Sequence, residues 1–180
     1  MMDTPLMISS ILKHAERNFP EVEMVSVTVD QPRHRQNNKV LASRCRKLAK
    51  ALESLGAEFG DRIGTLAWND FRHMELYYAV SGAGMVCHTI NPKLFPEQVA
   101  YIINHADDKI LFVDVLVVPL LEALQEHIKK VDCIVVLTDK AHMPDSFLEN
   151  LVCYEELLEA QTDSYEWPLF DENTACGMCY

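Results

Sequence analysis

Two cysteines three residues apart, Cys176 and Cys179, are this sequence's one hint of redox or metal chemistry. A redox pair needs the first cysteine at a helix N-terminus, and tetrahedral zinc needs two more ligands nearby. Neither accompanies them, and side chains three apart on a strand point to opposite faces, so both read as structural thiols. The seven histidines never fall at a metal-binding spacing such as H-x-x-x-H or H-E-x-x-H. His73 and Glu75 sit on one expected helix and face different ways, so the histidines read as surface or hydrogen-bonded core residues. Asp114 closes the run K-I-L-F-V-D, where a phospho-accepting aspartate would stand. That chemistry also needs a companion acidic pair and a lysine at a later strand end. Asp107 and Asp108 precede the strand instead, and no suitable lysine follows. The six glycines build no phosphate cradle, because Gly82-Ala83-Gly84 precedes an expected strand instead of joining a strand to a helix. No residue is therefore given a catalytic or metal-binding role, and the chain alone is not expected to bind ATP well.

The elements that must position these residues follow from periodicity. A short helix over Pro5–Asn18 and a strand over Glu23–Val29 precede a polar, basic break, Asp30–Asn38, marked by Pro32. Leu41, Cys45, Leu48, Leu52 and Leu55 then recur at four- and three-residue steps, one apolar stripe of a helix that Gly56 closes. A strand over Asp61–Trp68 follows, then a helix over Asp70–Ser81 with Asn69 as its cap. The strand Met85–Ile90, the loop Asn91–Pro96 and a helix to about His105 come next. The strand Lys109–Val113, the helix Pro119–Lys129 and the strand Cys133–Thr138 continue the alternation. Asp145–Ala160 is helical or irregular, and Ala175–Tyr180 is a last strand. Alternating strands and helices predict an α/β fold, a mostly parallel sheet with flanking helices. Residues 1–38 carry the first helix, strand and basic connector, and residues 39–180 the α/β unit. In such sheets ligands meet the carboxyl ends of the strands. Lys93 lies on that edge, with Pro92 fixing the backbone just before it.

A formal net charge of −11 excludes a nucleic-acid backbone or an anionic membrane surface as partner. Seven of the 16 basic residues fall within Arg33–Lys50, which holds no Asp or Glu, while nine acids and no Lys or Arg follow Lys140. The basic face with Arg44 and Lys47 is expected to meet acidic surface elsewhere in an enzyme or in a second subunit. No stretch is long and apolar enough to span a membrane, because Ile110–Leu121 is broken by Asp114 and Pro119. No signal peptide is visible, and six scattered cysteines match reduced, buried thiols of a cytoplasmic protein.

Leu55-Gly56 with Gly60-Asp61-Arg62, Asn69 with Glu75 and Ala79, and Gly82–Val86 ahead of Asn91-Pro92-Lys93-Leu94 occur in order. Glu97 with Tyr101-Ile102 and the strand Lys109–Val113 complete the series. Together they resemble the acyl-adenylate-forming (AMP-binding) superfamily of acyl-CoA synthetases. The run C-H-T-I-N-P-K-L-F-P-E-Q is most similar to its fatty-acid and methylthiopropionate CoA-ligase branch. Asp171–Tyr180 resembles the approach to the superfamily's T-S-G-T-T-G phosphate loop, which this sequence stops short of. Where the superfamily has an aromatic-Thr-Tyr strand, this chain has Gln36-Asn37-Asn38, so strand pairing is expected to be weak there.

The resemblance implies part of the large N-terminal domain of an acyl-CoA synthetase. A carboxylic acid would attack ATP to give acyl-adenylate, and CoA would then displace AMP. ATP, CoA and Mg²⁺ would serve the complete enzyme, with none bound tightly by this chain. Aryl-CoA ligases place an Arg where this chain has Lys93, so the resemblance gives Lys93 a phosphate of CoA. It also allows a homodimer surface. Two alternatives stand beside it, a truncated non-catalytic paralogue acting as an interaction module and part of an aryl-CoA ligase.

Overall fold

The computed structural model describes residues 4–180. Its centre is a six-stranded, all-parallel sheet flanked by helices. Strand β3 (Arg62–Leu66) is followed by helix α3 (Phe71–Gly82) and strand β4 (Val86–Thr89). The chain then crosses back through helix α4 (Pro96–Ala106) to strand β5 (Asp108–Val113). It continues through helix α5 (Val118–Leu124), strand β6 (Cys133–Val136), strand β7 (Leu151–Cys153) and helix α6 (Tyr154–Glu159) to strand β8 (Gly177–Cys179). The spatial order is β7-β6-β5-β3-β4-β8. Connections leave β3 and β5 in opposite directions, which puts the switch point of the sheet between their carboxyl ends.

Both faces are covered, so the strands are apolar almost throughout. Helix α1 (Ile8–Asn18), helix α2 (Asn38–Ser54), α3 and α6 pack on Ile63, Cys87, Ile110, Phe112 and Val135. Helices α4 and α5 pack on Leu66, Ile90, Leu111, Val113 and Val136. The α2 stripe is buried as its period requires: Leu41, Cys45, Leu48 and Leu52 are fully inside. Among the described residues no helix is long and apolar enough to cross a membrane.

Four local expectations change. The polar break contains a strand, β2 (His34–Asn37), paired antiparallel with strand β1 (Glu23–Ser26). Pairing is therefore kept despite the polar residues, because their side chains find other work. His34 stacks on Phe71 with ring centroids 3.6 Å apart, and Asn37 caps α2 by accepting from the Val40 amide (3.0 Å). The cap of α3 is Asp70, whose carboxylate accepts from His73 N at 3.0 Å, and not Asn69. Helix α5 ends at Leu124, because the Asn104 side chain takes the His127 carbonyl (2.7 Å) and the Lys129 amide (3.1 Å) and clamps the next stretch as a loop. The segment 145–160 resolves into an irregular stretch, the edge strand β7 and α6.

Candidate functional site

The strand-to-helix turns on the carboxyl edge run through Ala67–Asp70, Ile90–Phe95, Asp114 and Leu137–Asp139, and none holds a glycine. Phosphate cradles need open backbone amides at such turns, and here carboxylates stand there instead. Asp70 caps α3, and Asp114 is buried and accepts from the Leu116 amide (3.0 Å), ending any phospho-acceptor reading. Burial pushes the carboxyls of Asp70 and Asp114 above their ordinary values. The residues present do not fit ATP phosphates.

Arg72, which could have met an anion, is already committed. Its guanidinium is fully buried and donates to both Asp30 oxygens (3.0 and 2.9 Å), to Glu155 (2.8 Å) and to the Leu137 carbonyl (3.0 Å). Arg44 joins the same network through Glu75 (2.7 Å) and Glu155 (2.9 and 3.1 Å), and Tyr154 donates to Glu75 (2.7 Å). Burial pushes the Glu75 carboxyl up, against the pull of Arg44 and the Tyr154 hydroxyl. The acidic surface that Arg44 meets is therefore the chain's own. Arg46 likewise pairs with Glu16 (2.9 Å), and Lys50 donates to Thr162 (2.7 Å). Ligand atoms of Asp30, Asp139 and His142 gather within 4.8 Å. The Asp30 oxygens are held by Arg72, and Asp139 is held by His142 (2.7 Å). That trio does not fit a divalent ion.

The end of β4 is different. A cleft of ≈ 340 Å³ opens there, lined by Trp68, Asn69, His73, Tyr77, Asn91 and Tyr180 among others. His73 forms its floor: Nε2 lies 3.0 Å from Thr65 Oγ1 and Nδ1 3.2 Å from the Trp68 carbonyl. The carbonyl can only accept, so Nδ1 carries the proton and Thr65 donates to Nε2. Burial lowers the His73 pKa and keeps the ring neutral. Beyond the cleft runs the loop Asn91–Phe95. Its Asn91 side chain accepts from the Lys93 amide (2.9 Å), and the Lys93 side chain is exposed. One exposed cation on a turn at the ligand edge fits a phosphate as a point charge.

Beside β8 an apolar cleft of ≈ 540 Å³ is lined by Ile8, Ile11, Tyr77, Cys87, Met178 and Cys179 among others. Here the cysteine expectation splits. Cys45, Cys87, Cys133 and Cys153 are buried, while Cys176 and Cys179 are exposed. Burial raises the Cys87 thiol to about 12.

Sequence reading missed Asp30, Arg72 and Glu155, and also a buried pair between His88 and Asp108 (2.8 Å). Asp30 and Arg72 are 42 residues apart, so no spacing rule links them. The one available signal was charged residues, Arg72 and Glu75, inside a helix with apolar residues on every side.

The sheet order, with helices on both faces, defines a doubly wound, all-parallel α/β fold. Coronafacic acid ligase from Pectobacterium brasiliense shares this fold, with a TM-score of 0.80 over 97% of this chain and 33% of that one, at 20% identity. The family description "AMP-binding enzyme" matches residues 12–180, and the chain belongs to that family. It is 47% identical to a 3-methylmercaptopropionyl-CoA ligase of Ruegeria lacuscaerulensis over the whole chain and 33% of that protein. It is 43% identical to a medium-chain-fatty-acid–CoA ligase of Ectopseudomonas oleovorans, again over the whole chain and 33% of the relative. The chain thus spans about a third of the length of the curated relatives it matches.

Proposed function

We propose that this chain is the N-terminal part of an ATP-dependent acyl-CoA ligase, which joins a fatty or related carboxylic acid to CoA and releases AMP and diphosphate. The observation that carries the reading is similarity over the whole of this chain and about a third of each relative, at 41–47% identity, to proteins named as ligases of 3-methylmercaptopropionate and of medium- and long-chain fatty acids. Within it, residues 1–38 carry the N-terminal helix, strand and basic connector, and residues 39–180 are an incomplete α/β subdomain. ATP and Mg²⁺ belong to parts of the ligase outside these residues, since the turns described above offer no cradle. The chain alone is therefore inactive. Its own contribution is scaffold and one contact, Lys93 to a phosphate of CoA. A cytoplasmic ligase, working as a homodimer, completes the reading.

Lys93→Glu in the intact ligase tests it. Reversing a point charge on a phosphate raises the KM for CoA by ~5- to 30-fold, equivalent to ~1–2 kcal/mol, and leaves adenylation unchanged. If adenylation and CoA use fall together, or neither changes, Lys93 does not touch CoA.

A further inference from the structure

His88 in β4 and Asp108 at the start of β5 are hydrogen-bonded although β3 lies between their strands. His88 Nδ1 is 2.8 Å from each Asp108 oxygen, and a carboxylate only accepts, so Nδ1 donates. Two features make that reach possible. Gly64 pairs with His88 in the β3–β4 ladder and leaves the space open. A Cβ there would stand 2.9 Å from Asp108 Oδ2 and 2.5 Å from Leu111 Cδ2. The β3–β5 ladder also skips Lys109, pairing Arg62 with Asp108 but Ile63 with Ile110. An irregularity of this kind re-aims the side chain beside it.

Both side chains are fully shielded from solvent. A buried ionisable pair is poor value as a source of stability, since desolvation offsets much of the attraction. Its position points to another use. On the opposite face, Thr65 Oγ1 lies 3.0 Å from His73 Nε2 and 3.3 Å from the His88 carbonyl oxygen. The Ile90 amide donates to the Thr65 carbonyl at 2.9 Å. The end of β4 is thus held by the His88–Asp108 bond on one face and by the Ile90–Thr65 ladder bond along its edge, immediately before the loop that carries Lys93.

We propose that His88 and Asp108 are positioning residues, whose bond across β3 fixes the carboxyl end of β4 and through it the loop presenting Lys93. The proposal rests on the ligase reading above. Only Nδ1 takes part, because Nε2 is buried without a partner among the described residues and the Tyr180 ring covers the imidazole at 5.4 Å between centroids. A side chain that supplies one donor at the place of Nδ1 therefore suffices, and His88→Asn supplies it.

Amide hydrogen exchange and CoA kinetics on the intact ligase test this. In His88→Leu, exchange at Ile90, Lys93 and Leu94 rises ~10-fold or more, while Leu111 and Val135 keep wild-type protection. The KM for CoA rises ~5-fold with adenylation unchanged. His88→Asn restores both. Asp108→Asn, which keeps an acceptor oxygen and removes the buried charge, gives the same local pattern more weakly and serves if His88→Leu does not fold. Loosening spread evenly over the sheet, no change at the loop amides, or a His88→Asn protein that behaves like His88→Leu overturns the proposal. Lys93→Glu measured alongside separates the two readings. Unchanged CoA use in that variant defeats the Lys93 contact, while the exchange pattern alone decides the brace.

Discussion

Asp30→Asn removes one charge from the network that ties the β1–β2 hairpin to the sheet. Asp30 receives both Arg72 nitrogens (3.0 and 2.9 Å), Thr28 Oγ1 (2.6 Å) and Thr138 Oγ1 (3.3 Å). Its side chain is 3% exposed and that of Arg72 0%. Burial alone would push the Asp30 carboxyl up. The hydrogen bonds from Arg72 and Thr28 and the Arg72 charge outweigh it and hold the pKa at about 2, against an ordinary 3.8. A lowering from 3.8 to about 2, at about 1.4 kcal/mol per pH unit, corresponds to ~2.5 kcal/mol. The folded-state value lies below the unfolded one, so this stability is present above pH 3.8 and is lost as pH falls through about 2. Asparagine keeps an acceptor for one Arg72 nitrogen, and Glu155 still offsets part of the guanidinium charge. The cost is therefore ~2–3 kcal/mol at pH 7, below the ~3–5 kcal/mol of a fully broken buried pair. Urea unfolding of both proteins from pH 7 to pH 2 measures it. The expected gap narrows to under ~1 kcal/mol at pH 2, as the wild-type carboxylate takes up its proton. A gap that stays constant with pH, or one under ~0.5 kcal/mol at pH 7, refutes an ionised Asp30 bound to Arg72.

Gly84→Ala should cost ~2–3 kcal/mol in the same unfolding assay, because φ is +84° and the new Cβ would meet Phe59 Cδ2 at 2.5 Å. Asn37→Ala loses the α2 cap and ~1 kcal/mol, and Asn37→Asp retains most of it. Ellman's reagent should label Cys176 and Cys179 quickly in the native protein and Cys45, Cys87, Cys133 and Cys153 only after denaturation. The 180-residue chain should show no carboxylate-dependent exchange of pyrophosphate into ATP above a no-protein control. Exchange above that background disproves its inactivity.

The regular part of this protein is written locally. The α2 stripe, the strand–helix alternation and the Asn91–Leu94 loop are each set by residues within one or two turns of one another. Sequence reading placed them within a few residues and brought the AMP-binding resemblance with them. The same locality put Lys93 on the carboxyl edge, because Pro92 and the preceding strand settle where that loop leaves the sheet.

What lay beyond the sequence was every feature that depends on a partner distant in the chain. Strand β2 looked like a polar break, since the value of His34 and Asn37 lies in contacts with other elements. Arg44 was expected to meet acid elsewhere in an enzyme or in a second subunit, and Arg72 carried no expectation, until the fold brought Glu75, Glu155 and Asp30 against them. Cys176 and Cys179 carry the same residue type as the four buried thiols, and only their place just before and at the end of the edge strand β8 leaves them exposed. The His88–Asp108 bond exists because Gly64 of the strand between them has no side chain. Periodicity records which face a residue occupies along its own element. Which charge meets which across the sheet is settled by strand order and register, and these arise only when the whole sheet closes.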